Sequence, residues 1–248
     1  MIKESLNMTE LLYQTDSYLK EFQATVIDVN PTENCIALDR TAFYPGGGGQ
    51  PNDIGTLSVQ DRLLSVTKVK SQAGTVWHWS DGPLPSVGTK VVGHLDWDRR
   101  YKLMRTHTAL HILCGVIWRD YGAHVTGANI EPLKARMDFE LETLPKELVK
   151  EIEAKVNLEV EQAREVRIKI LPREMAFQIP DLIRTKINLL PENITEVRTV
   201  EIVGLDLQAD GGTHVANTKE VGHVRIVDYQ SKGKINKRIY IEIDENDR

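Results

Sequence analysis

Asp98–Gly122 reads DRRYKLMRTHTALHILCGVIWRDYG, and this stretch decides the fold class. Leu103, Leu110, Leu113, Val116 and Ile117 recur at helical spacing, and Gly122 offers a stop. What precedes it is different in kind. ATVIDV (24–29), CIALDR (35–40), GTLSVQ (55–60), LLSVTKVK (63–70), TVWHWS (75–80) and VGTKVVGHLDW (87–97) are short runs suited to strands. Asn30-Pro31, Gly46–Gly49, Gly74 and Asp81-Gly82-Pro83 supply turns between them. Short strands at close spacing predict a small barrel or sandwich. The first twenty residues suit a short helix or an edge strand equally.

Beyond Gly122 the character is mixed. AHVTGANIEP (123–132) and KARMDFEL (134–141) read as loop and strand. LPKELVKEIEAKVNLEVEQAREV (144–166) is the strongest helix, with Leu148, Ile152, Val156 and Val160 four apart and Pro145 at its start. MAFQIPDLIRTK (175–186) predicts a short helix broken by Pro180. EVRTVEIVGL, VRIVDYQ and RIYIEI return to strand, the last two flanking SKGKINK (231–237) as a hairpin loop. The expectation is an α+β protein: a small β-barrel-like domain with a glycine-rich loop over 1–95, then an α+β domain over 96–248.

The composition sets bounds on function. Hydrophobic residues make up 41% of the 248, enough for a core without disulfide or metal staples. The two cysteines, Cys35 and Cys114, form neither a disulfide framework nor a Cys-x-x-Cys ribbon. No segment approaches the roughly 20 apolar residues of a membrane helix, and MIKESLNMTE lacks the basic-then-apolar pattern of a leader, so a cytoplasmic location is expected. A formal charge of −5 leaves any nucleic-acid contact to local patches. Nothing in the sequence bears on oligomeric state.

His107 and His111 stand four apart on the predicted helix. Four residues turn about 400°, so both imidazoles share one face, one turn apart, and can share a metal. Such a pair also occurs as solvated or hydrogen-bonded histidines. Asp210-Gly211-Gly212-Thr213-His214 adds a carboxylate and an imidazole around two glycines that permit a tight bend and close approach. Alone, it reads as a turn in which Asp210 bonds the backbone. Tyr44-Pro45-Gly46-Gly47-Gly48-Gly49-Gln50 exposes a row of backbone N–H groups but lacks the Lys-Ser/Thr ending of a phosphate loop, so nucleoside triphosphate binding is not expected. A bare tetraglycine also serves as a hairpin loop.

Taken together, AFYPGGGGQPNDIG, HTALH, HVTGANIEP, ARMDF and DGGTHVANTKEVG resemble the freestanding alanyl-tRNA editing proteins of the AlaX type. They are also similar to the editing domain of alanyl-tRNA synthetase and, more remotely, to that of threonyl-tRNA synthetase. The similarity runs from about Phe22 onward. It implies one zinc ion on His107, His111, position 210 and His214. Position 210 departs from the pattern, which has cysteine where this chain has Asp210. A carboxylate binds zinc at about the imidazole distance but makes a harder site; Asp210 could instead stand behind a histidine, leaving three imidazoles and an open position.

The resemblance further implies a trans-editing hydrolase that deacylates mischarged Ser-tRNA(Ala), with Gly-tRNA(Ala) as a second candidate. Thr108 is then the candidate for reading the serine hydroxyl, against the alternative that it bonds a carbonyl one turn back. Gln50 would hydrogen-bond substrate. Tyr44, Gly47, Gly48, Gly49, Gly211 and Gly212 would line the substrate site, and Tyr44 or Phe43 could stack on the acceptor end or pack the core. Arg99, Arg100, Lys102 and Arg105, and Lys232, Lys234, Lys237 and Arg238, are phosphate-contact candidates for tRNA or plain solvated faces. Two other readings stay open: a zinc-stabilised tRNA-binding module without turnover, and a zinc peptidase or amidase. The second is weakened because HTALH lacks the glutamate of His-Glu-x-x-His.

Overall fold

The computed structural model describes residues 8–186, 190 and 194–245. Two compact units emerge, 1–47 with 51–100 and 48–50 with 101–248. The expected break at 95/96 compares with an observed one at 100/101, and three residues of the glycine-rich loop cluster with the second unit.

The first unit holds β1 (Glu10–Leu11), β2 (Glu21–Asn30), β3 (Cys35–Leu38), β4 (Arg40–Thr41), β5 (Gly55–Val59), β6 (Arg62–Gln72), β7 (Thr75–Ser80) and β8 (Lys90–Leu95). Six of them close into a barrel in the order β2-β3-β7-β6-β5-β8. Alternation drives it: along β2, Phe22, Ala24 and Val26 are buried between exposed Glu21 and Gln23. Ile36, Leu38, Phe43, Leu57, Val66, Val69 and Val76 complete the core. Phe43 is thus a core residue, the second of its two readings. The first twenty residues use both options, since β1 pairs in parallel with β4 and a 3-10 turn follows over Leu12–Gln14.

Asp53 and Arg100 pinch the root of the glycine-rich loop. Tyr44 N donates to Asp53 Oδ2 at 2.6 Å, and Asp53 N donates to Tyr44 O at 2.9 Å. Arg100 Nε reaches both Asp53 oxygens at 3.0 and 2.9 Å, while its other nitrogens donate to Ser17 O and Ala42 O. Both side chains are fully buried, so the charge pair is compensated on every side.

The second unit takes most of α1 (Trp97–Tyr121), then β9 (Val125–Glu131), β10 (Lys134–Phe139), α2 (Lys146–Glu161), β11 (Val166–Pro172), α3 (Arg173–Ala176), β12 (Glu196–Ile202), β13 (Asp206–Ala209), β14 (Val224–Gly233) and β15 (Asn236–Ile243). One antiparallel sheet runs β14-β15-β10-β9 and another β11-β12-β13. Pairing of α2 with β14 is fixed by Asn157, whose amide brackets Val224 through its N–H and its carbonyl at 2.9 and 2.8 Å.

Three local expectations are corrected. The short helix predicted over 175–186, broken by Pro180, is instead the four-residue α3, which starts earlier and ends at Ala176, ahead of Ile179 and Pro180, where helix is disfavoured. The loop predicted over 231–237 is mostly strand, with Gly233 paired to Asn236 across a tight turn. β11 was not foreseen: it is an edge strand whose residues are all exposed or half-buried, so its apolar pattern is faint.

Candidate metal centre

From Leu103 to Ile117, α1 is buried all round. Every polar side chain in that stretch therefore needs a partner inside the protein. Arg105 donates to Val221 O and Asp244 O at 2.9 and 2.8 Å. Thr106 donates back to Lys102 O at 2.7 Å, the one-turn bond anticipated as an option for Thr108. The remaining polar groups, His107, Thr108 and His111, belong to the centre.

His107, His111, Asp210 and His214 each offer one donor atom, all within 4.8 Å of one another. The helix supplies two imidazoles one turn apart, with ring centroids 5.1 Å apart. The segment after β13 supplies the others: His214 stands 4.3 Å from the His107 ring and 4.6 Å from that of His111. Gly212 makes the approach possible, since a Cβ there would run into the His107 ring. Gly211 meets nothing within 4 Å. Only the second glycine of the pair is demanded by close packing.

Each imidazole turns its Nδ1 towards a polar side chain, through a hydrogen bond at His107 and His214 and through proximity alone at His111. His107 Nδ1 lies 2.9 Å from Gln50 Oε1, His214 Nδ1 lies 3.2 Å from Thr108 Oγ1, and His111 Nδ1 lies 3.3 Å from Asp206 Oδ2. Gln50 is oriented by Thr213, whose backbone N–H donates to Oε1 at 3.1 Å and whose hydroxyl accepts from Nε2 at 2.9 Å. The Gln50 carbonyl only accepts, so His107 carries its proton on Nδ1, and the carboxylate beside His111 Nδ1 favours the same tautomer there. Their Nε2 lone pairs are left for a cation, and His214 shares the arrangement when Thr108 accepts. That is the donor state a metal requires.

Asp210 faces the same point. Its Oδ1 is 3.6 Å from His107 Nε2 and its Oδ2 is 3.0 Å from His214 Nε2. Gly212 N donates to Oδ2 at 2.7 Å, and Arg198 Nη1 stands 3.7 Å from that oxygen. Burial would push the Asp210 carboxyl up, but the surrounding histidines outweigh it and hold it well below the carboxylate range. Burial pulls His107 well below its ordinary value and His214 down to about 4. Burial lowers His111 as well, yet Asp206 and Asp210 more than offset this and leave it raised. Two neutral imidazoles and an ionised carboxylate around a buried point are what a divalent cation would neutralise.

Beside the cluster lies a cavity of about 230 Å³. Leu110, Val125, Ala128, Ile130, Met137 and Ile183 make most of its wall apolar, and His107, His111 and Asp210 occupy one side. Gly48 lines it too. Gly46, Gly47, Gly48 and Gly49 all have positive φ, a run that only glycine sustains readily. Gly49 O accepts from Ile130 N at 2.9 Å, fixing the loop tip to β9.

Thr108 and Gln50, expected to touch substrate, are buried at 0% and 2% exposure, and their polar atoms are engaged with the histidines and the 213–215 backbone. Tyr44 lies in the first unit with Gly47. It is buried edge-on to Tyr13, and its hydroxyl donates to Gly47 O at 3.1 Å. The basic clusters thin out as well: Arg100 and Arg105 are buried, and Lys102 pairs with Glu245. Lys237 caps the carbonyls of Gly233 and Lys234, and Arg238 forks onto Asp138. Lys232 and Lys234 remain exposed.

Asp206 is the residue that sequence reasoning missed. Its place in β13, four residues before Asp210, becomes meaningful only once that strand is seen packed against α1. Among the described residues, no helix is long and apolar enough to cross a membrane.

Two family models match parts of this chain. A model described as the threonyl and alanyl tRNA synthetase second additional domain matches residues 197–240, and one described as tRNA synthetases class II (A) matches residues 6–99. The alanyl-tRNA editing protein AlaX-M of Saccharolobus solfataricus is 43% identical over 95% of this chain and 99% of its own length. Its namesake in Methanosarcina barkeri is 40% identical over the same shares. The alanine–tRNA ligase of Ignicoccus hospitalis is 39% identical over 88% of this chain and 24% of the ligase.

Proposed function

Because the chain belongs to the AlaX-M alanyl-tRNA editing family, we propose that it is a zinc-dependent aminoacyl-tRNA deacylase, acting in trans on alanine tRNA that carries serine. The observation supporting this reading is the convergence of three imidazoles and one carboxylate on one point, beside a mostly apolar cavity. Alanine-selecting pockets discriminate weakly against an added hydroxyl, so a second, hydrolytic site is the physical remedy. Glycine on the same tRNA is the second substrate to assay.

An aminoacyl ester is already activated, so its hydrolysis needs a positioned water and a stabilised oxyanion rather than a covalent relay. His107, His111, His214 and Asp210 would hold one zinc ion, which when bound supplies Lewis-acid polarisation or an anchor for the substrate. In this reading Gln50 and Thr108 act as orienting partners of His107 and His214. The apolar wall excludes bulk water from the ester and strengthens each polar contact made there. Gly48 and Gly49 present backbone, without side chains, at the cavity edge. Exposed Lys232 and Lys234 would contribute phosphate contacts to tRNA.

The test is turnover of purified protein on Ser-tRNA(Ala), Gly-tRNA(Ala), Ala-tRNA(Ala) and a peptide panel, with metal content measured in parallel. Loss of serine with alanine spared supports the proposal, and His107→Ala or His214→Ala should remove both metal and deacylation. Peptide cleavage, or tRNA binding without release of any amino acid, would reject it in favour of a peptidase or a binding module.

A further inference from the structure

We propose that Asp206 is a positioning residue of the metal centre, acting through His111 to hold that imidazole in line for a cation. The inference rests on the metal-centre reading above and is independent of which tRNA is edited.

Asp206 is 4% exposed, and its carboxylate lies between two cationic or proton-bearing neighbours. Oδ2 is 3.3 Å from His111 Nδ1, and Oδ1 is 3.5 Å from Arg184 Nε. Neither contact has hydrogen-bond alignment. His111 Nδ1, Asp206 Oδ1 and Arg184 Nε are all buried atoms without a hydrogen-bond partner. Three such atoms side by side cost free energy as they stand, which calls for an explanation.

The surroundings hold these atoms in place. Gln208 Nε2 donates to Asp206 Oδ2 at 2.6 Å, fixing the carboxylate. The Arg184 guanidinium lies 4.6 Å over the Trp118 ring, and its backbone carbonyl accepts from Val125 N at 3.0 Å. Gly115, in the middle of α1, leaves room for the strand: a Cβ there would sit 3.0 Å from Asp206 Cβ and 2.9 Å from Leu205 Cγ. Glycine is a poor helix former, so its place in mid-helix accommodates the close approach of Asp206.

His111 would hold a bound cation through Nε2, which would make its Nδ1–H a stronger donor, and a carboxylate is the usual acceptor for such a proton. Asp206 is placed to accept that proton, 3.3 Å from His111 Nδ1. Asp206 therefore contributes to metal affinity and ligand alignment beyond its part in compensating Arg184.

The experiment titrates chelator-stripped protein with zinc and with cobalt(II) against a chromophoric competitor, for wild type, Asp206→Asn and Gln208→Met. Thermal unfolding of each metal-free protein is measured alongside. Asp206→Asn should weaken metal binding about 10- to 100-fold and alter the cobalt(II) visible spectrum, a loss in excess of the drop in metal-free stability that removing the charge beside Arg184 causes. Gln208→Met, which keeps the carboxylate but loosens it, should show a smaller loss in the same direction. Wild-type affinity and spectrum in Asp206→Asn overturn the proposal, as does a loss matched by an equal drop in metal-free stability. If Asp206→Asn does not fold, unchanged affinity in Gln208→Met overturns it. Failure of the wild type to bind either ion overturns the metal-centre reading itself.

Discussion

Gln50 Oε1 sits 2.9 Å from His107 Nδ1, and the same oxygen accepts from Thr213 N at 3.1 Å. One amide from the glycine-rich loop thus ties the helix half of the centre to the turn that carries Asp210 and His214. Gln50→Leu would leave the His107 Nδ1 proton and the Thr213 N–H buried without an acceptor. We expect roughly 10- to 100-fold weaker metal binding, the usual effect of deleting an orienting partner. Chelator competition measures it, and an affinity equal to wild type would remove Gln50 from the centre.

The two glycines of the ligand turn separate sharply. An alanine Cβ at position 212 would collide with the His107 ring and lie 2.9 Å from Gln50 Oε1, whereas at 211 it would meet open space. Gly212→Ala should therefore abolish metal binding. Gly211→Ala should change affinity by no more than about two-fold, the scale of an ordinary surface substitution. Equal effects from both would mean that the turn matters through its backbone freedom and not through its packing on His107.

These cases show what was legible in the sequence. His107 and His111 announce themselves by spacing, because a helix puts i and i+4 on one face whatever surrounds it. The barrel is readable for a similar local reason, the alternation along β2 and its neighbours. Asp206 was not visible, because its role depends on which helix β13 packs against, a relation between segments about 90 residues apart. Thr108 and Gln50 stand out through the motifs that carry them, but what each one faces is decided by His214 and Thr213 arriving from elsewhere in the chain. Arg100 and Arg105 looked like surface charge because composition does not say that their carbonyl and carboxylate partners are buried with them.

Arg100 and Asp53 carry the heaviest single stability expectation. Both are buried, and the guanidinium has no access to water that could replace the carboxylate. Asp53→Asn keeps the shape but leaves the cation uncompensated, at a cost of about 3–5 kcal/mol. Denaturant unfolding would register this as a lower midpoint with little change in slope. A loss below about 1 kcal/mol would show that Ser17 O and Ala42 O suffice to hold Arg100.

His78 gives the barrel a pH dependence of its own. It is fully buried, with Nε2 2.9 Å from Thr41 Oγ1, and burial lowers it from 6.5 to about 4. Between those values the unfolded chain takes up a proton that the folded barrel refuses. Stability is therefore complete above about pH 6.5 and falls as the pH drops towards 4, by up to roughly 3 kcal/mol from this group. His78→Gln should flatten that part of the stability profile. A mutant profile parallel to wild type across this window would assign the acid sensitivity to other groups.

Asp210 is where this centre differs from a thiolate-bearing one, and the exchange of donor should be measurable. Its carboxylate is steadied by Gly212 N at 2.7 Å and faces His107 and His214 at 3.6 and 3.0 Å, so a replacement donor at this position inherits a defined direction. A thiolate is softer than a carboxylate and favours zinc over harder ions such as manganese. Asp210→Cys should therefore bind zinc more tightly and raise the preference for zinc over manganese, while Asp210→Asn, which removes the charge at constant shape, should weaken both. Competition titrations with the two ions read out the ratio directly. If Asp210→Cys instead loses zinc while the histidine mutants behave as expected, the carboxylate acts from behind the imidazoles, and the coordination sphere consists of His107, His111 and His214 with a position left for water.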